Sequence, residues 1–318
     1  MFKTFILVRN LESNAETLDF RGFTIKRVGP RFSELRELFS SLDVDRDDWI
    51  LEKSYNQLPP GPLGYPVGGI PNDIESILLI LRLYRPGDIS FIKQAIIPPS
   101  GETLVQFPNR AMNDLNRYSY PRFKAESAEC ESWKAFADGI RESQSWNSDW
   151  FTTARRFFLS GGAKPFNPAG DDVDRVVDYA TALEATLVPE KDYNTRRISR
   201  RAAALIAPDD LPQTEVIGTF IRRFYEIRSR IVHGSRLGDK EQQWLSRNRD
   251  EVELRVRQVL VTAVQQLPPG EEDRRVALVR LYDPTDEDRG NFAFEKFREI
   301  RTVEVRKATA AKIAELGR

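Results

Sequence analysis

The sequence predicts an α+β protein with a mixed N-terminal domain and a helical C-terminal domain. Over residues 1–125, segments rich in β-branched and aromatic residues alternate with short helical stretches, whereas residues 126–318 have helical spacing and few strand signals. The chain has 318 residues, of which 40% are hydrophobic, so it can bury one large or two modest cores. We therefore expect two domains that meet near residue 125.

In the N-terminal domain, glycine and proline residues separate the predicted elements. Strands are expected at Phe2–Val8, Leu18–Val28, Trp49–Tyr55 and Ile89–Ile97. Helices are expected at Phe32–Leu42 and Pro71–Tyr84. The loop 58–71 is rich in proline and glycine and is interpreted as a surface excursion. None of these residues indicates a particular chemistry, so the role of this domain stays open.

The C-terminal domain is expected to be a helical bundle with its core at about residues 150–270. Its predicted helices are Ser127–Arg141, Trp146–Leu159, Asp174–Leu187, Asn194–Ile206, about Thr214–His233 and about Asn248–Leu267. The helix that ends at His233 has apolar residues at alternating steps of three and four, namely Ile217, Phe220, Phe224, Ile227 and Ile231. Gly234 follows it as a predicted C-cap. Asp171 and Asp172 are interpreted as helix-start carboxylates rather than metal ligands.

Composition excludes several classes of protein and of site. No apolar run is long enough to span a bilayer, and no secretory signal precedes the first strand, so a cytoplasmic protein without a membrane partner is expected. The only cysteine is Cys130 and the only histidine is His233, which excludes an intrachain disulfide and a His- or Cys-based zinc site within one chain. No glycine-rich phosphate loop is present, and no cofactor is expected.

The formal net charge is zero, so any attraction to nucleic acid must come from local charge. Residues 194–237 are biased toward arginine, whose planar guanidinium can donate two hydrogen bonds to one phosphate. The candidate RNA-binding residues in this segment are Arg197, Arg200, Arg201, Arg222, Arg223 and Arg230. The alternative is an ordinary solvated helical surface.

His233 lies at the end of the most arginine-rich helix and is the candidate proton carrier. At about 100° per residue, Arg222, Glu226, Ser229 and His233 form one polar ridge opposite the apolar stripe. Arg228 lies about 140° from His233, beside the apolar face, so one straight helix does not bring the two side chains together. The alternatives are a histidine that interacts with the carbonyls at the helix end and an arginine with a buried stem at the surface.

The string FYEIRSRIVHG, Phe224–Gly234, resembles the signature of the HEPN superfamily, in particular its ApeA-like branch of prokaryotic defence proteins. The family pattern is an arginine, four to six residues and then a histidine, often with a polar residue after the arginine; Arg228, Ser229 and His233 match it. Upstream, Ala182–Ala185 and Arg200–Leu205 resemble the family's preceding helices. The resemblance covers about residues 150–270.

The resemblance implies a helical bundle that dimerises with its motifs facing each other and cleaves RNA without metal, in phage defence or a toxin-like stress response. Arg228 would then stabilise the phosphate charge, His233 would act as acid or base, and Ser229 would orient the substrate. Glu184, Tyr225 and Glu226 are weaker candidates for supporting roles, with packing as the alternative for each. RNA, a second copy of the chain and a regulatory protein are the expected partners. The rival function is a non-catalytic module that binds RNA, a nucleotide or a protein partner.

Overall fold

The structure is a computed structural model, and it describes residues 1–20, 22–29, 32–39, 44, 48–56, 72–87, 89–101, 104–106, 123–163, 173–189, 195–208 and 210–282. The chain divides into two compact units, one comprising Met1–Gly139 and Gly162–Phe166 and the other Ile140–Gly161 and Asn167–Arg318. An antiparallel sheet in the first part of the chain is followed by helices, which confirms the predicted α+β class.

Among the residues that the structure describes, the first unit contains a six-stranded sheet. Its strands are β1 (Phe2–Arg9), β3 (Thr17–Phe20), β4 (Phe23–Arg27), β5 (Trp49–Tyr55), β6 (Ser90–Ile97) and β7 (Leu104–Gln106), in the order β3-β4-β5-β1-β6-β7 with antiparallel neighbours. The short strands β2 (Leu11–Glu12) and β8 (Phe123–Lys124) form a separate parallel pair. The helices are α1 (Phe32–Leu38), α2 (Asn72–Tyr84) and α3 (Cys130–Arg141), the last of which follows a 3₁₀ turn at Ser127–Glu129.

Alternation along β1 sends Phe5 and Leu7 to one face of this sheet, where they pack with Leu35 and Phe39 in a buried cluster. The expected strand Leu18–Val28 is instead a hairpin of β3 and β4, in which Phe20 pairs with Phe23. Gly22 lies in the turn at φ +83°, a conformation that glycine adopts without strain. The predicted loop 58–71 and the pair Asp171–Asp172 lie outside the described residues.

The second unit is helical. Its helices are α4 (Asp149–Ala163), α5 (Val173–Leu187), α6 (Thr195–Ile206), α7 (Leu211–Val232), α8 (Asp239–Gln266) and α9 (Glu271–Tyr282). Helix α5 packs against α6, α7 and α8, and α6 also packs against α7, α8 and α9. Within the described ranges, no helix is long and apolar enough to cross a membrane.

Hydrogen bonds to side-chain carboxylates mark where two of these helices begin. Helix α7 starts after Asp210, whose side chain accepts a hydrogen bond from the Gln213 N–H at 2.9 Å. Helix α8 starts at Asp239, nine residues before the expected Asn248, because Glu241 in its first turn accepts a hydrogen bond from the Gly238 N–H. The first turns of α8 are polar, so apolar periodicity does not indicate where this helix starts.

Candidate functional site

His233 is the C-cap residue of α7, and the backbone around it closes the helix. Gly234 adopts φ +71°, its N–H donates to the Ile231 carbonyl at 3.0 Å, and the Ser235 N–H donates to the Arg230 carbonyl at 2.9 Å. These two bonds and the left-handed glycine form a Schellman motif, which satisfies carbonyls that the helix leaves open. The prediction that Gly234 closes this helix is therefore confirmed, with Gly234 in the left-handed position directly after the C-cap residue His233.

The imidazole of His233 takes no part in this cap. The residue is exposed, and its side chain makes no hydrogen bond or ion pair with any described residue. Backbone groups already satisfy the carbonyls at the helix end, so the imidazole is not needed there. The structure therefore does not support the alternative in which the imidazole interacts with these carbonyls. Both ring nitrogens stay open to a ligand, which is what a proton carrier requires.

Arg228 is held from the neighbouring helix α5. Its Nη2 lies 2.8 Å from Oε1 and 3.1 Å from Oε2 of Glu184, and the Arg228 side chain keeps 23% of its surface exposed. The pair is charge-assisted and joins residues 44 positions apart in sequence. It fixes one end of the guanidinium while leaving part of that side chain accessible, so Arg228 can be both positioned and available to an anion.

The Glu184 side chain is only 9% exposed. Burial raises the pKa of the Glu184 carboxyl above its ordinary value of 4.5, and the positive charge of Arg228 offsets part of that rise. An unpaired carboxylate at this depth would be costly, so the Arg228 contact also stabilises Glu184. From the sequence, Glu184 is only a weaker candidate for a supporting role; in the structure, it directly contacts the motif arginine.

Arg228 and His233 are not joined by a hydrogen bond or an ion pair among the described residues, as the 140° separation on the helix predicts. Val232 follows Arg228 by one helical turn and comes directly before His233. It is 51% exposed, although large hydrophobic residues in the described part of the chain are otherwise buried or partly buried, except Met1. The end of α7 thus presents an apolar side chain between a held guanidinium and a free imidazole.

The other predicted site residues lie in different environments. Tyr225 is buried, and its hydroxyl donates to the Ala180 carbonyl at 2.7 Å, so it packs α7 against α5. Glu226 is exposed and pairs with Arg223 at 3.3 Å. Ser229 is partly buried, and its carbonyl accepts the His233 N–H at 3.1 Å. Of the predicted polar ridge, Arg222, Glu226 and His233 are exposed, whereas Ser229 is only partly exposed.

The candidate RNA-binding arginines divide into distinct groups. Arg222 is exposed and has no hydrogen-bond or ion-pair partner among the described residues. Arg223 and Arg230 both contact Oε1 of the buried Glu241, at 3.5 and 3.1 Å. Arg197 and Arg200, on α6, are partly buried. Only Arg222 in this set therefore combines full exposure with an unpaired guanidinium.

Arg201 corrects the sequence-based prediction. It is fully buried, at 0% exposure, and its Nη1 donates to the Leu187 carbonyl at 2.7 Å. Arg274 donates to the Ala185 carbonyl nearby, at 2.6 Å. These two cations satisfy carbonyls at the C-terminal end of α5, where the helix dipole also favours positive charge. Arg201 stabilises the bundle and cannot reach an RNA phosphate, so we remove it from the RNA-binding set.

Two features of the site escaped the sequence analysis. Glu241 was missed because α8 was expected to start later, although the spacing Gly238-x-x-Glu241 is a capping signal. The exposure of Val232 was missed because a single valine near a helix end carries no sequence signal of its own.

Comparison with known proteins finds no matching family model, no matching curated protein and no matching solved structure. Within the described ranges, no group of three His, Cys, Asp or Glu side chains is arranged to hold a metal ion.

Proposed function

We propose that this chain is a metal-independent endoribonuclease of the HEPN type, which cleaves RNA at a site shared by two copies of the chain. The observation that carries the proposal is the free, exposed imidazole of His233 five residues beyond an arginine that Glu184 holds in place. RNA cleavage by internal transfer requires proton carriers that act as base and acid, and a cation that stabilises the phosphorane charge.

In the proposed reaction, one His233 removes the proton from a ribose 2′-hydroxyl, and the 2′-oxygen then attacks the adjacent phosphorus. The bond between phosphorus and the 5′-oxygen breaks, and that oxygen leaves with a proton from the His233 of the second copy. The products are a 2′,3′-cyclic phosphate and a free 5′-hydroxyl. Arg228 stabilises the negative charge on the phosphorane, and Ser229 contacts the substrate.

Pairing of two chains is supported by proton counting and by Val232. One chain has a single histidine, whereas the reaction needs an acid and a base. A two-fold axis near the end of α7 would bring two His233 side chains together and bury two exposed Val232 side chains in the same interface. In this arrangement, one interface would contain both the apolar contact and the catalytic histidines.

The proposed setting is the cytoplasm, where the RNA substrate and a regulatory protein partner would be encountered. We infer that the chain acts in phage defence or a toxin-like stress response, as the resemblance to the HEPN superfamily implies. In the rival function the chain binds RNA, a nucleotide or a protein partner without cleaving. Exposure of His233 favours catalysis, because a non-catalytic module has no need for a free imidazole at its surface.

The test is incubation of the purified protein with total RNA in excess EDTA, followed by end-group analysis of the fragments. Cleavage that persists and leaves 2′,3′-cyclic phosphate ends is expected. His233→Ala and Arg228→Ala should each abolish cleavage while keeping the helical circular dichroism signal. Arg280→Ala, at an exposed position of α9, is the control and should retain both the helical signal and cleavage. Activity that is lost on chelation and restored by magnesium would contradict the mechanism. Binding without cleavage would favour the rival.

A further inference from the structure

Glu241 connects the two helices on either side of the turn that begins at His233. Its Oε1 receives the Nη1 of Arg230 at 3.1 Å and the Nη2 of Arg223 at 3.5 Å, and its Oε2 receives the backbone N–H of Gly238 at 3.0 Å. The Glu241 side chain is only 11% exposed. One carboxylate of α8 therefore accepts from two side chains of α7 and from the residue that precedes α8.

The two arginines lie on one face of α7, because seven residues make about two helical turns. An ion pair with an arginine as exposed as Arg230, whose side chain is 54% exposed, usually contributes little to stability by itself. Glu241 differs because it is largely buried and all three of its contacts converge on one group. Loss of that carboxylate releases three donors together, so its effect exceeds that of any single surface pair.

The turn between the two helices is held at its α7 end by the Schellman bonds of Gly234 and Ser235. At its α8 end it is held by Glu241 and by the Gln242 side chain, which donates to the Leu237 carbonyl at 3.4 Å. Gly234, Ser235 and Arg236 are exposed, whereas Leu237 is buried, at 8% exposure, and Gly238 is bonded to Glu241. His233 lies at the start of this turn, and its ring is not held by any described side chain. The direction of the imidazole therefore depends on how the backbone from His233 to Gly238 is fixed.

We propose that Glu241 is a positioning residue for His233, and that Arg223 and Arg230 serve as its two anchors on α7 rather than as phosphate ligands. Arg222, which is exposed and unpaired among the described residues, is then the arginine of this helix that meets RNA. We call the contacts of Glu241 with Arg223, Arg230 and Gly238 the clamp. Its effect on RNA cleavage rests on the proposed function, whereas its effect on the turn and on the His233 ring does not.

The structural test uses the single histidine as a spectroscopic probe in the full chain. The only imidazole ring that contributes signals to a ¹H–¹³C spectrum is that of His233, since it is the sole histidine. Glu241→Gln should broaden or shift those signals and accelerate hydrogen exchange of the Gly238 amide by about tenfold or more, because a charge-assisted bond is lost. Arg222→Gln, as the matched control, should change neither. Unchanged exchange and an unchanged imidazole signal in Glu241→Gln would overturn the proposal.

Two further variants keep the test decisive if Glu241→Gln does not fold. Gly238→Ala places a Cβ 2.9 Å from Oε2 of Glu241, the mobile end of a flexible side chain, so the carboxylate must move while the backbone conformation stays permitted. Arg230→Gln removes the closer anchor from an exposed position. Both should perturb the His233 signal in the same direction as Glu241→Gln. A wild-type signal in both folded variants would overturn the clamp.

Cleavage kinetics separate positioning from RNA binding. Glu241→Gln and Arg230→Gln should lower kcat with little change in KM, whereas Arg222→Gln should raise KM and reduce the salt dependence of RNA binding. A raised KM with unchanged kcat in Arg230→Gln would return Arg230 to the phosphate ligands. If wild-type protein cleaves no RNA, the proposed function is wrong, and the exchange and imidazole measurements still judge the clamp.

Discussion

Replacement of Arg201 by alanine tests whether this arginine stabilises the end of α5 rather than binding RNA. The side chain is fully buried and its guanidinium donates to the Leu187 carbonyl at 2.7 Å. Loss of a charge-assisted hydrogen bond costs about 1.5–3 kcal/mol, and truncation of a large buried side chain costs about 2–5 kcal/mol. Since the two effects overlap, we expect Arg201→Ala to lower the free energy of unfolding by about 3–5 kcal/mol.

The assay is chemical denaturation, followed by circular dichroism at constant pH. Arg222→Ala is the control: it removes an exposed arginine and should stay within about 0.5 kcal/mol of wild type. Arg201→Met separates the causes, because it keeps most of the volume and loses the hydrogen bond, so it should cost about 1.5–3 kcal/mol. If Arg201→Ala unfolds within about 1 kcal/mol of wild type, the assigned capping role is wrong.

Three other substitutions give distinct results. Gly234→Ala forces a side chain into φ +71° and should lower the unfolding free energy by about 1 kcal/mol in thermal melts; an unchanged melt would contradict the observed cap. Gly161→Ala should cost about 1–3 kcal/mol in urea, since a Cβ there would lie 2.8 Å from the Tyr179 ring, and a more stable variant would show that this packing is loose. Glu184→Gln should remove the part of the pH dependence of the unfolding free energy that comes from this carboxyl. Burial raises the folded-state pKa of Glu184 above 4.5. The stability that Glu184 contributes is therefore fully present below the unfolded-state pKa and is lost as the pH rises through the folded-state pKa. The stability of wild type relative to Glu184→Gln should therefore decline with rising pH from about 4.5 upward, and a rise over that window would show that Arg228 outweighs burial.

Local periodicity predicted the helices well because the pattern of burial repeats within each one. In α7, Ile217, Phe224 and Ile227 are buried as the apolar stripe indicates. Phe220 is partly buried and packs against Trp244 of α8, with ring centroids 5.1 Å apart. The strand at Trp49–Tyr55 was also predicted at its observed bounds. These features depend on residues that are close together in sequence.

Contacts between distant segments could not be predicted in the same way. Nothing local to Arg201 distinguishes a buried helix cap from a surface phosphate ligand, because the difference lies in the Leu187 carbonyl of another helix. Likewise, Arg228 was expected beside the apolar face, but its pairing with Glu184 requires the packing of α5 on α7. Periodicity defines which side of a helix is buried and says nothing of which neighbour covers it.

A mixing experiment shows whether two His233 side chains form one catalytic site. Wild-type protein is refolded with an equal amount of His233→Ala protein, and RNA cleavage is compared with an all-wild-type sample at the same total concentration. Random pairing leaves both histidines in about a quarter of the dimers, so about a quarter of the activity is expected. Activity near half, or cleavage by a strict monomer, would contradict the shared site.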